Sequence, residues 1–281
     1  MTAPGSTSRA SPVGRSSNLF REFHYQARGR AHLEEGTPVQ DRTRYLSRSG
    51  VQVLCLADGA GSAQHSDLGA QITVDSGCAV LAERFEAFSG TNDGAAVKQE
   101  LLARLNARID AVASRRGISP SDLACTFLAV AMSDETFIGA HVGDGVIGFL
   151  KDGELRAISL PDNEEFANRT TFVTSAGAAS SMRLFRGSLA GVDGFVLMSD
   201  GAAETLFNPR SNELARACKK LMSAVGSPAY SQAKRSSIRK RLGRFIDLSV
   251  RLATKDDCSV AVFGRTRPES RGTDAASGSR P

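Results

Sequence analysis

Val51-Gln52-Val53-Leu54-Cys55-Leu56-Ala57-Asp58-Gly59-Ala60-Gly61 is an almost unbroken apolar run that stops at an aspartate and a glycine-rich turn. Seven such residues bounded by a turn signal predict a buried strand over 51–57. The aspartate that follows projects a carboxylate from a sheet edge. Three more acidic signatures border apolar runs: His141-Val142-Gly143-Asp144-Gly145, Met198-Ser199-Asp200-Gly201 and Thr254-Lys255-Asp256-Asp257. Brought together, four such ends form a hard-oxygen cage for divalent cations. One Asp-Gly pair is ordinarily a turn, and Asp152-Gly153 is read as one. The weight lies in several acidic strand ends far apart in sequence.

Outward from that strand, Ser66 or Asp67 caps a predicted helix running to about Phe88. Val97, Leu101, Leu105, Ile109 and Val112 recur at helical spacing, so a second helix packs beside the first. Residues 124–132 and 136–142 read as a hairpin turning at Ser133-Asp134, and 146–150 with 154–159 as another turning at Asp152-Gly153. Strands are expected at 170–174, 195–198 and 258–263, and helices at 213–222 and 237–252. Parallel βαβ alternation is absent, which favours an α+β fold of antiparallel sheets carrying helices on their faces.

The 281 residues, 41% hydrophobic and 23% charged, suit a globular protein with a substantial core, and Gly at 27 residues suits many tight turns. No stretch approaches the ~20 apolar residues of a membrane span, and residues 1–18 lack the apolar segment of a secretory signal. Residues 1–18 and 266–281 read as disordered tails around one domain, 19–265. The five cysteines have no metal-ligand spacing and read as buried thiols in a reducing cytoplasm. The net charge of +5 concentrates in the first thirty residues and around Lys234, Arg235, Arg239, Lys240, Arg241 and Arg244. Without interleaved aromatics these read as solvated faces, not a nucleic-acid surface.

Asp58 ends a strand and precedes Gly59, whose missing side chain lets a metal approach the backbone carbonyl. A carboxylate has two oxygens, so one aspartate can serve two cations, while Asp200 and Asp256 complete a shell filled out by water. Mg2+ and Mn2+ accept that donor mixture. Water between two such ions is acidified and aimed for in-line attack on phosphorus.

These motifs, in order, resemble those of the metal-dependent protein phosphatases, the PP2C-type serine/threonine phosphatases (PPM family). The resemblance covers residues 32–262: Gln40-Asp41, Ala57-Asp58-Gly59, Thr126-Phe127-Leu128, His141-Val142-Gly143-Asp144, Leu197-Met198-Ser199-Asp200-Gly201 and Lys255-Asp256-Asp257-Cys258-Ser259-Val260. The segment Phe166-Ala167-Asn168-Arg169-Thr170-Thr171-Phe172 and the Gly-x-x-His at His32 resemble a bacterial branch. The resemblance implies an αββα sandwich, two central antiparallel sheets flanked by helix pairs, with a binuclear Mn2+ or Mg2+ site at one end. It implies that Asp58 bridges the metals and positions their water, that the Gly59 carbonyl ligates one, and that Asp200 and Asp256 ligate the other. Asp41 acts behind them or through water, and Asp144 helps hold a third ion. Asp257 stands where the family often has Asn and ranks below Asp256 as a ligand.

The chain departs from the family in three places. Gly143-Asp144-Gly145-Val146 lacks the usual Ser and Arg, Asp58-Gly59-Ala60 lacks the His of many eukaryotic members, and the usual phosphate-binding Arg falls at Gly36. His32, Arg30 or Arg28 is then the candidate phosphate contact. His24 is expected to be exposed, His65 to sit on a loop surface and His141 to be a hydrogen-bonded structural imidazole. The function implied is hydrolysis of phosphoserine and phosphothreonine. The alternatives are a catalytically weak module binding a phosphorylated regulatory partner, and a phosphatase dedicated to one small phosphoprotein. A phosphorylated protein, with a kinase encoded nearby as a candidate, is the expected partner; nucleic acid and membrane are not.

Overall fold

The computed structural model describes residues 19–161, 170–230 and 235–266. The tail at 1–18, nearly all of that at 266–281, and 166–169 of the bacterial-type segment lie outside these residues.

The strands are β1 (Phe20–Ala27), β2 (Arg42–Arg48), β3 (Val51–Ala57), β4 (Phe127–Ser133), β5 (Thr136–Val142), β6 (Val146–Lys151), β7 (Glu154–Ser159), β8 (Arg183–Ser188), β9 (Val192–Met198), β10 (Phe207–Asn208), β11 (Glu213–Leu214) and β12 (Cys258–Arg265). The helices are α1 (Arg30–Glu35), α2 (Ser66–Gly90), α3 (Gly94–Arg116), α4 (Ala178–Ser181), α5 (Asp200–Leu206), α6 (Arg216–Gly226) and α7 (Arg235–Phe245). Two five-stranded antiparallel sheets result, β2-β3-β4-β5-β8 and β1-β12-β9-β6-β7, with β10-β11 as a separate ribbon.

Side-chain alternation builds three core layers. On β3, Val53, Cys55 and Ala57 face α2 and α3, while Leu54 and Leu56 point at the other sheet. On β12, Cys258, Val260 and Val262 face α6 and α7, while Ala261 and Phe263 point inward between the sheets. Aromatic rings lock that middle layer: Phe137 meets Phe195 edge-on at 4.9 Å between centroids. The architecture is the expected αββα sandwich. Its central strands read as continuous apolar runs because each is covered on both faces.

Several local expectations are corrected. Neither Ser66 nor Asp67 caps α2; His65 holds that position without a side-chain bond, and Asp67 instead pairs with Arg42 at 3.1 Å. The 124–142 hairpin turns one residue later, Ser133 pairing with Thr136 across Asp134, whose φ is +48°. Residues 170–174 form no strand but a turn in which Ser175 N–H donates to Phe172 O at 2.9 Å. Glu213 and Leu214 belong to a strand, and the helix starts only at Arg216. The helix after 235 passes through a π turn at Ile246–Val250. His24 is half-buried in β1, its Nδ1 2.9 Å from the Thr43 hydroxyl, and burial lowers its pKa. Part of the basic cluster is internal structure: Arg235 and Arg239 both engage Glu22, which is 6% exposed.

Candidate metal and phosphate site

The acidic strand ends meet at one end of the sandwich, and each is placed by backbone pairing. In β2–β3 the register Arg42↔Ala57 sets Asp41 beside Asp58 at the same edge. The Asp58 turn is fastened to the residues before β4: Asp58 N–H donates to the Thr126 hydroxyl at 2.9 Å, and Thr126 N–H to Asp58 O at 2.8 Å. The other sheet supplies Asp200 at the end of β9 and Asp256 just before β12. Ser199 N–H donates to Ser259 O at 3.1 Å, and Ser259 N–H to the Ser199 hydroxyl at 3.0 Å, which joins these two ends. Asp144 lies in the β5–β6 connection, where Arg183 Nη2 donates to Gly143 O at 2.8 Å and the Thr170 hydroxyl to Asp144 Oδ2 at 2.5 Å.

These groups surround a cavity of about 180 Å³, lined among others by His32, Gln40, Asp58, Gly59, Asp144, Thr170, Asp200 and Asp256. Asp41 lies behind it, fully buried, with both carboxylate oxygens lacking a hydrogen-bond partner among the described residues. Burial, then the charge of Asp257, pushes Asp41 up to about 7. Burial and the charges of Asp41 and Asp200 raise Asp58 well above the ordinary carboxylate range. Asp200 is pushed up to about 6, by burial first, with Asp144 and Asp256 also raising it. Buried carboxyls crowded together without a counter-charge hold protons that a cation would displace. The orphaned oxygens of Asp41 and the all-oxygen donor set suit a hard divalent ion. As they stand, no three acidic, histidine or cysteine side chains among the described residues form a ready ligand set.

Of the sequence candidates, His32, Asp58, Gly59, Asp144, Asp200 and Asp256 reach the cavity wall, and Asp41 stands directly behind it. Arg28 and Arg30 do not line it; their guanidinium groups bond His32 O and Thr254 O. His65 is likewise outside the lining. His141 is a fully buried structural imidazole: Nδ1 is 2.8 Å from the Ser159 hydroxyl, and burial with nearby Arg183 holds its pKa well below the usual value. Sequence reasoning missed Thr170 and Arg183 as supports of the Asp144 loop. It also missed Asp257 as a buried hub, taking backbone N–H bonds from Gly29 and Gln40 at 2.6 Å each.

A family model described as protein phosphatase 2C matches residues 28–245. Serine/threonine-protein phosphatase 3 of Escherichia coli K12 is 28% identical over 163 residues, which cover 56% of this chain and 64% of that protein. The chain thus spans less than two thirds of this curated relative. The fold is similar to that of the serine/threonine phosphatase Stp1 from Staphylococcus aureus, with TM-score 0.59 and 15% identity, covering 93% of this chain and 100% of that one. It is also similar to the catalytic domain of the serine/threonine protein phosphatase PstP, solved in complex with 2 manganese ions, with TM-score 0.55, 19% identity, and 88% and 99% of the two chains covered.

Proposed function

Because the chain belongs to the protein phosphatase 2C family, we propose that it hydrolyses phosphoserine and phosphothreonine in proteins, using two bound Mn2+ or Mg2+ ions. The observation that carries this reading is the convergence of Asp58, Asp144, Asp200 and Asp256, from distant segments of both sheets, on one cavity. The two manganese ions of the PstP catalytic domain support the choice of metal. Asp58, the Gly59 carbonyl, Asp200 and Asp256 are the groups that would hold the ions, with Asp41 behind them and Asp144 beside a third. Bound there, the metals would supply an acidified water nucleophile and offset phosphoryl charge.

The chain's own groups have separate tasks in this reading. Asp58 aims the attacking water, and the Thr126 bonds hold its turn in place. His32 contacts the substrate phosphate in place of the Arg that Gly36 cannot supply. The partner is a phosphorylated protein, with a kinase encoded nearby as the first candidate. A cytoplasmic setting fits the five buried free thiols, and no described helix is long and apolar enough to cross a membrane.

The test is hydrolysis of an aryl phosphate and of a phosphothreonine peptide with Mn2+, Mg2+ or EDTA, by the wild type and by Asp58→Asn. Turnover that needs metal and collapses in the variant is expected. Equal turnover by both proteins sinks the proposed metal site, and phosphopeptide binding without metal-dependent turnover sinks the proposal in favour of a binding module.

A further inference from the structure

Helix α1 contributes no buried residue, so hydrophobic packing does not set its position. Polar bonds do so instead: Ala31 N–H donates to Lys255 O and Arg30 Nε to Thr254 O, each at 3.0 Å. Gly29 lies so near the opposing chain that a Cβ there would stand 2.4 Å from the carbonyl carbon of Asp256. At the centre is the Asp257 carboxylate, 1% exposed. Its Oδ1 accepts from Gly29 N–H and its Oδ2 from Gln40 N–H, both at 2.6 Å. One side chain therefore pins the backbone on either side of α1. His32 Nδ1 closes on the same Oδ1 at 2.9 Å.

That contact fixes the imidazole. Nδ1 is buried and makes no hydrogen bond among the described residues, so its 2.9 Å approach to Asp257 is a charge contact. A lone pair on Nδ1 so close to the carboxylate is disfavoured, so Nδ1 carries a proton, Nε2 is the nitrogen offered to the cavity, and a second proton on Nε2 makes the cation that donates to phosphate. Among the described lining residues, His32 is the one side chain able to present a cationic N–H to a phosphoryl oxygen. Both oxygens of Asp257 accept, which a carboxamide cannot reproduce, because Asn would turn its NH2 toward one of the two backbone N–H groups.

We propose that Asp257 is a positioning residue: it orients His32 so that the Nε2 edge of the ring meets the substrate phosphate. The phosphate role rests on the phosphatase reading above; the orientation does not. The test uses the full-length chain in two states. In the metal-free, 15N-labelled protein, long-range imidazole spectra report which His32 nitrogen bears the proton. In the Mn2+-loaded protein, kinetics on a phosphothreonine peptide separate KM from kcat.

The expected spectrum shows Nδ1–H in the wild type and a changed tautomer balance in Asp257→Asn. The expected kinetics show Asp257→Asn raising KM about tenfold with a much smaller change in kcat. His32→Gln, whose amide reaches the Nε2 position, keeps KM closer to wild type than His32→Asn, whose amide reaches only Nδ1. A wild-type Nε2–H tautomer, His32 shifts indifferent to Asp257→Asn, or equal KM for the Gln and Asn variants overturns the proposal. A wild type without metal-dependent turnover removes the phosphatase reading instead, and the spectra still decide the orientation.

Discussion

Asp41→Asn should stabilise the metal-free protein clearly more at pH 8 than at pH 5. Asp41 is fully buried with both carboxylate oxygens unpartnered among the described residues, and its pKa stands at about 7 against an ordinary 3.8. The folded state therefore holds a proton on this group that the unfolded chain has released by pH 5. Folding stability contributed by the neutral carboxyl is complete below about pH 4 and drains away as pH rises to about 7. The full span corresponds to on the order of 4 kcal/mol. Asp58 and Asp200 share the local charge and take up protons themselves, so about half of that is expected from Asp41 alone. Asn keeps the shape and removes the charge. For a chain of this size ~2 kcal/mol is a rise of roughly 4–8 °C in Tm. The assay is thermal unfolding of chelator-treated wild type and variant at both pH values. A variant whose advantage is the same at pH 5 and pH 8 would refute the reasoning. Added Mn2+ should narrow or reverse the difference at pH 8, because by mass action it stabilises most the chain whose acidic cluster is complete.

Gly145→Ser, which restores the residue expected from the family pattern, should destabilise by about 2 kcal/mol, because its Cβ would stand 2.7 Å from Met198 O and 2.8 Å from Leu128 Cδ2; an unchanged urea midpoint would count against the packing described. Arg239→Ala should cost roughly 2–3 kcal/mol, read from the same midpoint. It strips one of two arginines from buried Glu22 and a cation from above the Phe23 ring, 5.5 Å from its centroid. Burial pushes the thiols of Cys125, Cys218 and Cys258 up to about 12, and Cys55 and Cys78 are also buried. An aromatic disulfide reagent should therefore find almost no reactive thiol in the native protein and five in urea; rapid native reaction of any one would contradict the burial.

The parts of the fold legible in sequence are those with two covered faces. β3, β9 and β12 lie between a helix layer and the opposite sheet, so they read as apolar runs ending at Asp58 and Asp200 or starting after Asp256. β1, β2 and β8 escaped notice because each is a sheet edge. Their sequences Phe20–Ala27, Arg42–Arg48 and Arg183–Ser188 mix arginine and other polar residues with apolar ones, and much of each is only half-buried. α1 buries nothing and so has no periodicity to detect. In the site, strand-end aspartates carried their own signal, whereas Asp41 was found only through resemblance. Asp257 was undervalued because its partners are the N–H groups of Gly29 and Gln40, and a backbone donor leaves no mark in a sequence.

The strand order β1-β12-β9-β6-β7 puts the last described strand inside a sheet, between the first described strand and β9. A ribosome delivers β12, and Asp256 with it, after every other described element has emerged. Until then β1 has no strand partner, β9 has an open edge, and the acidic end lacks one wall. A chain stopped short of Asp256 consequently carries the leading sheet and two long helices but no complete cavity. Seating β12 in the sheet and closing the cavity are, in this topology, the same event.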